Sequence, residues 1–156
     1  MPRILFVCMG NICRSPLAEG VFRHLAREAG LEDHFEIASA GTGDWHVGHP
    51  PDRRMRQTAT RHGVSLEDQR AQVVTPAHLD TYDLILAMDA QNLRYLQAMA
   101  RRPEHHQKLA LFRTHDPIPG DGAVPDPYYG DADGFEEVYG IVHRTARALL
   151  QSLRDE

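Results

Sequence analysis

Lysine and asparagine are nearly missing from this chain. Lys108 is the sole lysine among 17 Lys and Arg residues, and only Asn11 and Asn92 are asparagines. Heat adaptation favours few asparagines and proline-rich loops, and genomic base composition gives the same arginine bias, so the pattern selects neither. Cysteine is just as sparse: Cys8 and Cys13 stand close together and none follows. That excludes a secreted disulfide framework and leaves catalysis or metal binding as the reason for the pair. The ten histidines are scattered, none at short ligand spacing from the cysteines, so no metal is expected. No apolar run reaches the roughly 18 residues of a membrane span. Ile4-Leu5-Phe6-Val7 is also too short for the core of a signal peptide. The expectation is a cytoplasmic protein with no membrane partner. A net charge of −5 supplies no basic face for nucleic acid. Arg53-Arg54 and Arg101-Arg102 read as solvated surface.

What is present is an ordinary globular composition, 42% hydrophobic and 25% charged over 156 residues. With no repeats or linker it suits one domain spanning 1–156. Arg3 to Val7 reads as a buried strand running into a loop that holds glycine and asparagine. Pro16 suits the first turn of a helix in which Leu17, Val21, Phe22, Leu25 and Ala29 recur at helical spacing before Gly30. Further strands are expected at Phe35–Ser39, Tyr82–Ala87 and Leu109–Phe112. Helices are expected from Asp52 to about His62, after Asp89, and through Phe135, Val138, Ile141, Val142, Leu149, Leu150 and Leu153. The proline-rich stretch from Thr114 to Gly130 reads as loop. Alternating strands and helices predict an α/β fold with a parallel sheet covered on both faces. Ligands then bind outside the carboxyl ends of the strands, and the loop after the first strand is the first candidate.

That loop reads Cys8-Met9-Gly10-Asn11-Ile12-Cys13-Arg14-Ser15-Pro16. Gly10 and Asn11 tolerate positive φ, so the backbone can curl with several N–H groups turned inward. Such a nest at a helix N-terminus holds phosphate, and Arg14 can fork two hydrogen bonds onto it. Cys8 would lie at the floor, where the same amides favour a thiolate and the Ser15 hydroxyl can donate to it. A thiolate beneath a bound phosphate can attack phosphorus in line and form a phosphocysteine.

Cys8 to Pro16 resembles the signature loop of the low-molecular-weight protein tyrosine phosphatases. Ser39-Ala40-Gly41, Met88-Asp89 with Asn92-Leu93, and Asp126-Pro127-Tyr128-Tyr129 extend the resemblance over essentially the whole chain. It implies a single-domain three-layer sandwich with a four-stranded parallel sheet flanked by helices, and no metal or organic cofactor. It implies a phosphate cradle formed by Met9, Gly10, Asn11, Ile12, Cys13, Arg14 and Ser15. By the same resemblance Asp126 is the general acid and then the general base, with Asp116 as the fallback. Trp45, Tyr128 and Tyr129 flank the substrate ring. Phosphotyrosine proteins or small aryl phosphates are the expected partners, and a monomer or weak dimer the expected state.

Many members of the family carry a histidine before the third strand that bonds the loop Asn and Ser. Here Glu67 to Gln72 contains none, so Asn11 is expected to be held by Asp89 or by water. Cys13 either fills apolar space or captures an oxidised Cys8 as a disulfide. An arsenate reductase needs relay cysteines after Cys13, and there are none. A protein-arginine phosphatase of the same fold is the alternative enzyme, against which Ile12, Tyr128 and Tyr129 speak. A phosphate-binding module without turnover would have lost Cys8, Arg14 or the acid. A dinucleotide-binding loop would need Gly-x-Gly-x-x-Gly after the first strand.

Overall fold

The computed structural model describes residues 2–128 and 130–155. Its central strand, β1 (Arg3–Cys8), is buried at every position from Ile4 to Cys8. That demands cover on both faces. β1 pairs in parallel with β2 (Glu36–Gly41) on one side and with β3 (Leu84–Ala87) on the other. β3 pairs in parallel with β4 (Leu109–Leu111), so the sheet order is β2-β1-β3-β4. The four-stranded parallel sheet flanked by helices is therefore as expected.

Alternate β1 side chains point to opposite layers. Ile4, Phe6 and Cys8 join Leu17, Val21 and Phe22 of α1 (Arg14–Glu28), Met55 and Ala59 of α2 (Arg53–Arg61), and Val138, Val142 and Leu149 of α6 (Ala132–Arg154). Leu5 and Val7 join Leu79 of α3 (Pro76–Thr81) and Leu96 of α4 (Ala90–Met99) on the other face. Phe6 meets Phe112 edge-on at 5.3 Å and Phe22 at 6.1 Å. Each such ring contributes roughly 1.5–3 kcal/mol by burial.

Several boundaries shift from the sequence reading. α1 starts at Arg14, which keeps Pro16 in its first turn as read, but β2 runs on to Gly41, where Cys8 and Gly41 are register partners. β3 begins only at Leu84, because Pro76–Thr81 is helical and Tyr82 ends that helix. Phe112 leaves the fourth strand for a short 3-10 turn. α3 and α5 (Pro103–Lys108) are additions that the sequence pattern does not announce. α2 conforms, with the Asp52 carboxylate accepting the N–H groups of Arg54 and Met55 and Gly63 following at φ +81°.

Candidate active site

The strand order places β1 between β2 and β3, so its carboxyl end opens on the topological switch point of the sheet. There the chain leaves Cys8 and curls through Asn11. Asn11 is the one non-glycine with positive φ, 56°, among the described residues. The turn closes at Cys13, the N-cap of α1. The cap has no side-chain hydrogen bond and the first turn has no acid. The leading amides of α1 thus lack a built-in anion. Gly41 permits the close approach of the neighbouring strand: a Cβ there would lie 2.8 Å from the Met9 carbonyl oxygen.

The Cys8 sulfur is buried at the base of this curl. Asn11 N–H donates to it at 3.3 Å, and the Ser15 hydroxyl lies 3.0 Å away. Arg14 is buried as well. Its Nη1 donates to Asp89 Oδ2 at 2.8 Å and to the Val124 carbonyl at 3.0 Å, and its Nη2 lies 3.6 Å from Asp126 Oδ2. Burial works against the guanidinium charge, but Cys8, Asp89 and Asp126 outweigh it and raise the Arg14 pKa further. Asp89 serves two elements at once, since its Oδ1 caps α4 through Asn92 N–H at 2.8 Å. Val124 is clamped from both sides, its N–H donating to the Met88 carbonyl at 2.7 Å. That clamp carries Asp126 to the rim, where its Oδ1 accepts the Tyr128 N–H at 3.0 Å.

Cys8, Met9, Gly10, Ile12, Cys13, Arg14, Trp45, His46, Asp126 and Tyr128 line one cleft of about 380 Å³. Asn11 and Ser15 lie beneath it, buried. Trp45 is 66% exposed and presents an apolar face at the rim. The Arg54 guanidinium sits 5.5 Å from the centre of the Tyr128 ring and donates to the Tyr128 carbonyl at 2.9 Å. Tyr129 lies outside the described residues. Cys13 both packs in the core and opens on the cleft. Burial, then Asp52, Cys8 and Asp126, push its thiol well above the usual range against the pull of Arg54.

Two expectations are corrected. Asn11 is not held by Asp89, which is occupied by Arg14 and its own helix cap. Its Nδ2 donates to Ser15 Oγ at 2.8 Å and to Ser39 Oγ at 2.9 Å, and its Oδ1 accepts the Gln72 main-chain N–H at 3.0 Å. Asp116 is no fallback acid. It is buried, bonded by Arg144 through both carboxylate oxygens and by Arg113. The Arg144 bonds above all hold its carboxyl far below the usual range, against burial, with help from Ile118 N–H and Arg113. His46, Arg54 and Gln72 were not legible as site residues in the sequence. Histidines are plentiful here, and the other two act through contacts between distant segments.

A buried thiol held by an amide N–H and a hydroxyl, in one cleft with a fixed arginine and a carboxylate at the rim, is the arrangement of the cysteine-based phosphatases. Residues 3–156 match the family model described as low molecular weight phosphotyrosine protein phosphatase. A low molecular weight protein-tyrosine-phosphatase of Streptomyces coelicolor is 43% identical, covering 99% of this chain and 94% of its own length. A protein tyrosine phosphatase crystal structure from Entamoeba histolytica superposes with a TM-score of 0.94 at 32% identity, covering 99% of this chain and 98% of that one. The structure of a Drosophila arginine phosphatase superposes with a TM-score of 0.89 at 31% identity, each chain covered to 97%. The chain belongs to the low molecular weight phosphotyrosine protein phosphatase family, a family of cysteine-dependent enzymes.

Proposed function

We propose that this enzyme hydrolyses phosphotyrosine in proteins, and small aryl phosphates, with Cys8 as nucleophile, Arg14 as phosphate clamp and Asp126 as acid and base. The observation that carries this reading is the Cys8 sulfur, fixed between Ser15 Oγ and Asn11 N–H beneath a cleft that Arg14 and Asp126 also line. Phosphate enters with its oxygens on the loop amides and on Arg14, whose Nη2 lies 3.6 Å from Asp126 Oδ2. The thiolate attacks phosphorus as the bond to the tyrosyl oxygen breaks, and Asp126 gives its proton to that oxygen. Asp126 then takes a proton from the water that attacks the phosphocysteine. The sulfur leaves as a thiolate stabilised by the Ser15 hydroxyl, and inorganic phosphate is released.

Selectivity follows from depth. The sulfur is buried while Trp45, Met9 and Tyr128 rise around it, so an aryl phosphate reaches the floor with its ring between apolar walls. A short phosphoserine does not. The fold alone does not choose between tyrosine and arginine, because an arginine phosphatase shares it. Ile12 in the cleft wall adds an apolar surface that suits a ring. Two free cysteines suit a cytoplasmic location, and a monomer or weak dimer belongs to the same proposal.

Steady-state assay of phosphotyrosine, phosphoserine and phosphoarginine peptides side by side tests the substrate, with kcat/KM highest for phosphotyrosine. A higher value for phosphoarginine would transfer the assignment. Cys8→Ser abolishes turnover of p-nitrophenyl phosphate, and retained turnover there would remove the nucleophile assignment.

A further inference from the structure

Arg113 is a buried cation with no part in the steps above. It lies on the 3-10 turn Phe112–His115 that follows β4, only 8% exposed. Its guanidinium is spread over three acceptors. Nε donates to Asp116 Oδ2 at 2.9 Å, Nη2 to the Ile118 carbonyl at 2.7 Å and Nη1 to the Ala123 carbonyl at 2.6 Å. We propose that Arg113 is a positioning residue for proton transfer: by closing the loop from Asp116 to Val124 at its base, it fixes the main chain ahead of Asp126 and so the reach of the acid to the leaving oxygen. The inference rests on the reading of Asp126 as proton donor.

Residues 117–123 belong to no helix or strand, so no ladder of main-chain hydrogen bonds holds them. The chain turns back at Gly120 and Gly122, with φ of +57° and +88°, and Gly122 N–H donates to the Pro119 carbonyl at 2.8 Å. Ile118 stands at one end of this turn and Ala123 at the other, and the planar guanidinium of Arg113 spans both. The Ala123 oxygen shares one rigid peptide plane with the Val124 N–H. Arg113 holds the oxygen of that plane, and the Met88 carbonyl accepts its N–H at 2.7 Å. The next peptide is held in turn, because its Val124 oxygen accepts Arg14 Nη1 at 3.0 Å. Pro125 then sets its own φ through its ring, and Asp126 follows directly. The 3.6 Å between Asp126 Oδ2 and Arg14 Nη2 is therefore set from two sides, by the cradle and by Arg113. Arg144 shares Asp116 with Arg113, but its contact with the loop main chain is at the Ile118 carbonyl, at 3.4 Å.

Arg113→Lys keeps the charge and the apolar stem but offers a single ammonium, which cannot span those acceptors as a guanidinium does. The experiment measures kcat/KM, which reports the steps up to phosphocysteine formation, for phenyl phosphate and for p-nitrophenyl phosphate. A misplacement of about 1 Å can cost about 10²-fold, so partial release of the Ala123 carbonyl lowers the phenyl phosphate value roughly three- to tenfold and the p-nitrophenyl phosphate value by less than about twofold. Competitive inhibition by inorganic phosphate stays as in wild type, because the cradle is untouched. In an Asp126→Ala background Arg113→Lys changes neither substrate further. Arg144→Gln serves as the control for stability alone: it lowers resistance to urea through Asp116 and leaves the ratio of the two substrates unchanged. Equal losses with both substrates in Arg113→Lys, the same shift of ratio in Arg144→Gln, or an undiminished effect without Asp126 overturns the proposal. Should Arg113→Lys disturb folding, Asp121→Ala repeats the test from an exposed position. Asp121 Oδ1 accepts the Ala123 N–H at 2.9 Å, so its loss frees the same residue and selectively slows phenyl phosphate; an unchanged ratio there overturns the proposal as well. An unselective loss in Asp126→Ala itself defeats the reading of the acid, whereas a selective loss there with an unchanged ratio in Arg113→Lys defeats only the positioning role.

Discussion

Asp116 and Asp126 each precede a proline in the same loop, and their neighbours decide which can move a proton. Asp126 stands at the rim with one oxygen on a main-chain N–H and the other near Arg14, and its side chain stays partly open to water. A substrate oxygen can reach it. Asp116 is enclosed and fully engaged by two arginines. Asp126→Ala lowers kcat/KM about 10²- to 10⁴-fold for phenyl phosphate and far less for p-nitrophenyl phosphate, whose leaving group needs little protonation. Equal losses with both substrates would mean that Asp126 is not the proton donor. The sequence offered two Asp-Pro pairs and separated them only through the resemblance carried by Asp126-Pro127-Tyr128-Tyr129. That Arg144, from the distant last helix, joins Arg113 on Asp116 is recorded by no local pattern.

The same Asp116 acts at the level of elements. It ties the turn after β4 to α6, since Arg113 lies in that turn and Arg144 on the helix. Its carboxyl is held below its unfolded value, so this stabilisation is complete above the unfolded carboxylate range and fades as pH falls through the depressed folded value. Stability to urea should accordingly decline as the pH drops below about 4. Asp116→Asn, which leaves two arginines short of a charge, should cost about 3–5 kcal/mol and flatten that acid limb. An unchanged acid limb would show that other carboxylates carry it. Elements of this length differ in how plainly the sequence announces them. β1, α1 and α6 have long apolar patterns and are legible from them. α3 and α5 have six residues each, too few for a period to register. They depend on each other instead: His105 Nε2 meets Asp80 Oδ1 at 2.7 Å, and Lys108 Nζ donates to the Leu79 carbonyl at 2.7 Å.

At the scale of the molecule, function and stability are drawn from different residues. Phe22 is fully buried between the sheet and the helical layer, and it meets Phe35 edge-on at 5.2 Å. Phe22→Ala should cost about 3–5 kcal/mol in urea denaturation. Trp45→Ala should leave the unfolding midpoint nearly unchanged, because its ring is exposed, and should raise KM for aryl phosphates. A large stability loss in Trp45→Ala would assign that ring to the fold rather than to substrate. The core was legible because burial follows the alternation of β1 and the stripes of the helices. The cradle was legible because one short segment holds it. What fixes the cradle was not, because Ser39, Gln72, Asp89 and Val124 come from four separate stretches of chain.

The contact of α1 with α6 has a consequence for biosynthesis. The nucleophile is made early, but the helix that covers its layer, Ala132–Arg154, follows by about 120 residues. At about 5–20 residues per second, a ribosome needs on the order of ten seconds to close that gap. During that interval the nascent thiol and the inner face of α1 are uncovered. Nascent chains should therefore be inert toward phosphate esters and open to oxidants or chaperones, so that activity itself reports that translation has reached the last helix.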